Sequence, residues 1–315
     1  MNARISYHMI SIVIPVLNEE KNAAILHQEL LAVMNALNRP YEIIFVDDGS
    51  RDGTLAELKK LLPATVLSFS RNFGKSQALQ AGFAEASGEY VITLDGDLQD
   101  DPREIPRFVE MLDRGADLVC GWKYNRLDPA SKVFFSRIAN TMTRLATGVA
   151  VHDMNCGFKG YRALVAKNLR LHGDLYRYIP ALAASDGYVV REIKVNHRKR
   201  LYGESKYGVM RLASGFFDFM TLYFLRRFLD RPMHLFGSVG ITSFFIGGGI
   251  LAYLAIIRLA YGISIGSRPL LTLGVLLVLV GLQFFSLGLL GDLIISRTHG
   301  AHMGRYIIRE KTILQ

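Results

Sequence analysis

The first 230 or so residues alternate short apolar runs with longer amphipathic ones. The run 10-ISIVIPV-16 has the length and continuity of a buried strand. In 19-EEKNAAILHQELLAVMNAL-37, Ile25, Leu26, Leu30, Leu31, Val33 and Leu37 recur at helical spacing. The alternation continues with a strand in 41-YEIIFVDDGS-50, a helix in 54-TLAELKKLL-62 and a strand in 65-TVLSFS-70. A helix follows in 75-KSQALQAGFAEA-86, stopped by Gly88, then strands in 90-YVITLD-95 and 117-DLVCGW-122. This order predicts an α/β fold, a mostly parallel sheet with helices on both faces. Ligands in such sheets bind beyond the carboxyl ends of the strands. Polar residues gather there: Asn18-Glu19, Asp47-Asp48, Arg71-Asn72 and Asp95-x-Asp97.

The pattern then changes. Leu235–Ile257 and Pro269–Gly291 carry no charge, and each is long enough to cross a bilayer core of about 30 Å. They predict a C-terminal transmembrane hairpin. Arg226, Arg227 and Arg231 precede it, and Arg297, Arg305, Arg309 and Lys311 follow. The positive-inside rule therefore puts the N-terminal domain and both termini in the cytoplasm, as a multi-pass membrane protein. The amphipathic stretch 209-VMRLASGFFDFMTLYFLRRF-228 is expected to lie in the membrane interface. The expected divisions are a globular domain over 1–208, a juxtamembrane segment over 209–234, the two helices within 235–296 and a tail over 297–315. Two spans make a thin anchor, so a homo-oligomer is expected.

The 315 residues carry 37 Lys and Arg against 28 Asp and Glu, a net charge of +9. Arg191–Arg231 alone holds ten basic and four acidic residues beside the first span. That placement suits an anionic membrane surface and phosphate ligands, and no nucleic acid partner is expected. Cys120 and Cys156 are too few for a disulfide framework and match no zinc spacing. No signal peptide is expected, because 11-SIVIPV-16 runs straight into polar residues. The stretch 74-GKS-76 is not a P-loop, since the required first glycine falls at Phe69.

Asp95 and Asp97 stand out in this basic chain. If the strand runs through Gly96, both side chains share one face. Two carboxylates that close repel, and a divalent cation removes the conflict. All-oxygen ligands select a hard ion, Mg²⁺ or Mn²⁺, with Gln99 as a neutral third ligand. The cation in turn would hold a substrate diphosphate. Asp100, Asp101 and Pro102 read as the cap of the following helix.

Taken together, 14-IPVLNEE-20, 45-FVDDGSRDGT-54, 70-SRNFGKSQALQAG-82, 94-LDGDLQDDP-102, 153-DMNCGFKGYR-162 and 200-RLYGESKYG-208 resemble glycosyltransferase family 2. The hairpin narrows the resemblance to the branch that glycosylates polyprenyl phosphates, the dolichyl-phosphate mannose synthase and bactoprenol glucosyltransferase type. The resemblance implies a GT-A fold, a UDP- or GDP-sugar donor, a divalent metal and inverting transfer to a polyprenyl phosphate. It implies that Asp47 contacts the nucleotide, with Pro15, Asn18, Glu19, Asp48 and Lys75 in the donor site. Asp95 and Asp97 become the family's D-x-D, with Gln99 beside them. Lys123 and Arg137 would face phosphates, and Arg200 and Lys206 would close over donor and acceptor phosphate. The catalytic set is then Asp95, Asp97, Asp153, Arg137 and Arg200.

Phosphate chemistry agrees. A phosphate monoester is mostly ionised at neutral pH and needs no strong base. It needs positive charge to approach a diphosphate, which Lys123, Arg126, Arg137, Arg198, Arg200 and Lys206 would supply. Two other functions fit part of the sequence. A membrane transferase with a hydroxyl acceptor would need a general base, for which Asp153 is the candidate. A membrane-anchored nucleotide-sugar sensor would need no turnover.

Overall fold

The computed structural model describes residues 8–124, 149, 151–198, 232–266 and 268–299. The chain divides into two compact units, Met1–Leu222 and Tyr223–Gln315.

In the first unit, β1 (Ile10–Val16), β2 (Tyr41–Asp47), β3 (Thr65–Ser68), β4 (Tyr90–Thr93), β5 (Leu118–Lys123), β6 (Lys159–Arg162) and β7 (Val190–Val195) form one sheet. Its strand order is β3-β2-β1-β4-β6-β5-β7. Every pairing is parallel except those of β6, which runs antiparallel to both β4 and β5. Between them come α1 (Glu20–Leu37), α2 (Thr54–Leu58), α3 (Lys75–Glu85), α4 (Ile105–Asp113), α5 (Ala163–Asn168) and α6 (Ile179–Ser185).

Period-two alternation sends the strand side chains to two cores. Ile10, Ile12 and Ile14 pack with Leu26 and Leu30 of α1 and Phe108 of α4. Val13, Ile44 and Val46 pack on the other face with Ala78, Leu79 and Phe83 of α3. Burying each large aliphatic side chain contributes about 1.5–3 kcal/mol. Both faces of the sheet are thus covered, as the sequence pattern predicts.

Several elements differ from the sequence expectation, among them the strand expected over 65–70, which stops at Ser68. The helix expected over 54–62 stops at Leu58, and Leu62 before Pro63 is 78% exposed. The strand at 90–95 stops at Thr93, so Asp95, Gly96 and Asp97 lie in a turn rather than on one strand face. Strands β6 and β7 carry no apolar alternation and exist because the open edge of β4 and the free side of β5 offer them ladder partners.

The second unit is a helical hairpin, α7 (Pro232–Tyr261) and α8 (Pro269–His299), both extending past the expected 235–257 and 269–291. Both helices are long and apolar enough to cross a membrane. Glycines let them touch. A Cβ on Gly240 would meet the Gly281 carbonyl at 2.7 Å, and one on Gly247 the Gly274 carbonyl at 2.8 Å. The seven-residue spacing on both helices is that of a small-residue antiparallel seam.

Candidate functional site

The sheet order locates the site. The chain moves outward from β1 to β2 and β3, then returns to the other side of β1 as β4. The gap between the carboxyl ends of β1 and β4 is the switch point where such folds bind ligands.

The loops at that end are braced to one another. Asn18, at φ 53°, accepts the Arg51 backbone N–H at 2.9 Å, and its own N–H donates to Ser50 Oγ at 2.9 Å. The Glu19 backbone N–H donates to Thr54 Oγ1 at 2.8 Å, and its carboxylate accepts from Asn22 at 2.5 Å. Asp47 accepts from the Ser50 N–H and the Ser68 hydroxyl, both at 3.0 Å. Asp48 accepts from the Phe73 N–H at 2.7 Å and the Gly74 N–H at 3.0 Å. Burial raises the Asp48 pKa, only partly offset by those two amides, and the Asp47 charge adds to the rise. Gly49 lets the turn close on the β3 loop: at φ +72°, a Cβ there would lie 2.3 Å from the Arg71 carbonyl carbon. Both aspartates are therefore buried loop anchors as well as donor-site candidates.

The turn after β4 is built by charge. The Lys75 ammonium, in the first turn of α3, donates to the Asp95 carboxylate. Lys123 pairs with the fully buried Asp100 at 2.9 Å. The other Asp100 oxygen accepts the Asp95 backbone N–H at 3.2 Å. Burial raises the Asp95 pKa, but the Lys75 and Lys123 ammonium groups outweigh it and hold the carboxyl below its ordinary value. Burial lowers the Lys123 pKa, and Asp100, Cys156 and Asp95 more than reverse that. Asp97 is buried and accepts the Gln99 N–H at 3.2 Å. Leu98 sits at φ 62°, an uncommon value for a leucine, with its side chain buried.

The segment before β6 closes against this turn. The Thr93 hydroxyl donates to the Gly157 carbonyl at 2.8 Å, and a Cβ on Gly157 would sit 2.5 Å from the Asp95 carboxylate. Lys159 is buried, and its ammonium donates to the Cys156 carbonyl. Asp153 is buried at the start of this segment. Its backbone N–H and that of His152 both donate to Glu192 Oε1 of β7, at 3.1 and 2.8 Å. The His152 ring pairs with the other Glu192 oxygen at 2.7 Å and stacks on Trp122 at 4.1 Å.

Residues 11–170 match the sequence model described as Glycosyl transferase family 2. The chain belongs to that family. This glycosyltransferase is 38% identical over 304 residues to dodecaprenyl-phosphate galacturonate synthase of Rhizobium johnstonii, covering 92% of this chain and 88% of the relative. It is 36% identical over 289 residues to undecaprenyl-phosphate 4-deoxy-4-formamido-L-arabinose transferase of Pseudomonas savastanoi pv. phaseolicola, covering 90% of this chain and 84% of the relative. Among solved structures, glucosyl-3-phosphoglycerate synthase from Mycobacterium tuberculosis, in complex with Mn²⁺, UDP and phosphoglyceric acid, superposes with a TM-score of 0.56 at 19% identity, over 70% of this chain and 78% of that one. That likeness shows the fold.

In this family 2 glycosyltransferase Pro15, Asn18 and Glu19 lie at or just past the carboxyl end of β1, Asp47 and Asp48 at that of β2, and Asp95, Asp97 and Gln99 follow β4, while Lys75 opens α3. Two basic residues expected at phosphates form ion pairs with the protein's own carboxylates. Lys123 pairs with Asp100 and braces the Asp95 turn. Arg198 binds Glu29 at 2.7 Å and Asp101 at 2.6 Å. Of the two aspartates expected to cap, Asp101 does so, accepting the Arg103 N–H at 3.0 Å, whereas Asp100 serves the ion pair. Arg126, Arg137, Arg200 and Lys206 lie outside the described residues, as does the interfacial stretch 209–228. Glu192 is not among the residues the sequence nominates, and Lys159 enters there only as part of the motif 153-DMNCGFKGYR-162. Their signal is a charged residue inside a strand, which becomes informative once the strand's neighbours are known.

No group of three or more His, Cys, Asp and Glu that could hold a metal occurs among the described residues. The Asp95–Asp97 turn still fits a hard divalent cation. Mg²⁺ binds through one or two carboxylates and takes its remaining oxygens from substrate phosphates and water.

Proposed function

We propose that this glycosyltransferase moves a sugar from a UDP- or GDP-sugar to a polyprenyl phosphate, giving a polyprenyl-monophosphate sugar with inverted configuration. The observation that carries this reading is the breadth of the likeness to two relatives named for polyprenyl-phosphate sugar transfer. It covers at least 90% of the chain, well beyond residues 11–170.

The braced loops after β1, β2 and β3 hold the nucleotide, with Pro15, Asn18, Glu19, Asp47 and Asp48 in the pocket. Asp95 and Asp97, with Gln99 beside them, hold Mg²⁺ or Mn²⁺, a choice supported by the Mn²⁺ and UDP in the solved structure of similar fold. The cation, when bound, offsets the charge that grows on the leaving diphosphate. Lys75 adds a positive charge at the same turn. Arg137, Arg200 and Lys206 draw in the acceptor phosphate and orient it. A phosphate oxygen bonds to the anomeric carbon as the carbon–oxygen bond to the diphosphate breaks, and positive charge builds on the sugar ring. The acceptor is already ionised, so Asp153 is not needed as a base. The two apolar helices cross the membrane as a hairpin. The first unit and both termini then lie on the cytoplasmic side, where the lipid phosphate is reached.

The test is purified full-length protein with Mg²⁺ or Mn²⁺, undecaprenyl phosphate and a panel of radiolabelled UDP- and GDP-sugars. Label is expected in the organic phase and lost in Asp97→Asn. Nucleotide release without labelled lipid would move the reading to a hydroxyl acceptor with Asp153 as its base.

A further inference from the structure

Helix α8 carries two faces. One holds Gly274 and Gly281 and packs on α7. The other lies about 200° away, the rotation between Gly281 and Gln283 at 100° per residue. On that outer face Thr272, Leu276, Leu279, Gln283, Ser286 and Leu290 follow one another at alternating spacings of four and three, a heptad seam. All six are exposed, with Leu276 at 55%, Leu279 at 58% and Leu290 at 53%.

A row of leucines facing lipid needs no explanation. Gln283 does. It sits near the middle of the apolar span Pro269–Ile294, and nothing among the described residues hydrogen-bonds its amide. By contrast, Thr242 of α7 satisfies its hydroxyl within its own helix, donating to the Ser238 carbonyl at 2.8 Å. A glutamine is too long to be satisfied that way, and hydrocarbon offers its amide no partner. A polar residue at one core position of an otherwise leucine seam is the device that sets register between helices.

We propose that two copies of this chain associate in the bilayer through this outer face of α8, pinned by Gln283 against Gln283. Copies inserted in one orientation have parallel α8 helices, so a two-fold axis along the membrane normal brings the seam onto itself. A carboxamide both donates and accepts, and is therefore complementary to its own copy. Ser286, one turn further on, supplies a small polar neighbour that lets the backbones approach. The proposal rests on the hairpin crossing the membrane.

The test uses the full-length chain in phosphatidylethanolamine–phosphatidylglycerol liposomes. Resistance to alkaline carbonate extraction checks insertion first, and extraction would overturn the membrane reading and this proposal with it. Single-cysteine variants then map the contact; the native Cys120 and Cys156 are buried and leave a quiet background. Oxidation should join copies at Leu279→Cys and Ser286→Cys, and not at Leu282→Cys and Leu289→Cys, which lie to the side of the seam. Dilution into excess lipid, read by energy transfer between labelled copies, should show Gln283→Leu associating about 3- to 30-fold more weakly. Gln283→Asn should keep most of the association. Cross-linking at all four positions or at none would overturn the proposal. So would Gln283→Leu associating as the parent does, or cross-links forming only to a different protein in native membranes.

Discussion

The Lys75 ammonium rests on the Asp95 carboxylate, tying the first turn of α3 to the turn after β4. The residue expected to ligate a divalent cation is thus already held by a cation of the protein's own. Its carboxyl stays ionised below its ordinary range, despite burial, because of that neighbour and Lys123.

A competing ammonium should weaken metal binding when no donor is present. Lys75→Met is expected to bind Mn²⁺ roughly 5-fold more tightly than the parent, the worth of about 1 kcal/mol of screened attraction between adjacent charges. Electron paramagnetic resonance of free Mn²⁺ reads this directly. Equal affinity would show that Lys75 and the metal use different oxygens.

Asp100 and Lys123 form a buried pair, and removing one partner strands the other charge. Lys123→Met alone should cost about 3–5 kcal/mol of stability, and Lys123→Met with Asp100→Leu should recover most of it. The pair also sets an alkaline limit. Lys123 has a folded pKa above its unfolded value, so its contribution is full below about pH 10 and fades above it. Denaturant melts of the single and double variants at neutral pH and near pH 11 test both points. A double variant no better than the single would disprove the pairing energy.

Glu192 holds the backbone of His152 and Asp153 with one oxygen and the His152 ring with the other. Glu192→Ala should lower stability by about 2 kcal/mol through the lost charged hydrogen bonds. Glu192→Gln, which keeps an acceptor, should lose less. If Asp153 must be aimed for turnover, the alanine variant loses kcat more than its melt predicts. Unchanged kcat would make this contact purely structural.

Gly157 lies where any side chain meets the Asp95 carboxylate. Gly157→Ala should displace the Asp95 turn and reduce transfer by at least about 10-fold, as misplacement by an ångström does. The readout is transfer rate beside an unchanged circular dichroism spectrum. Full activity would mean that the 153–158 segment moves aside freely.

Much of the fold is legible in the residues. The runs at β1 and β2 and the helical spacing of Leu26 and Leu30 specify which faces are buried, because burial is decided by period. The two charge-free stretches mark the hairpin for the same local reason. Strand β6 was not legible: KGYR has no apolar alternation, and it becomes a strand only between β4 and β5.

The candidate site divides in the same way. Asp95, Asp97 and the loop acids can be nominated from sequence, since acids clustered at successive strand ends are visible in it. Their partners cannot. Arg198 looks like a phosphate ligand until Glu29, 169 positions away, takes it. Lys123 looks the same until Asp100 does. What the sequence by itself determined is which residues are charged and which elements carry them. Only the tertiary structure decided which charges neutralise one another, because that depends on distances set by packing between segments far apart in the chain.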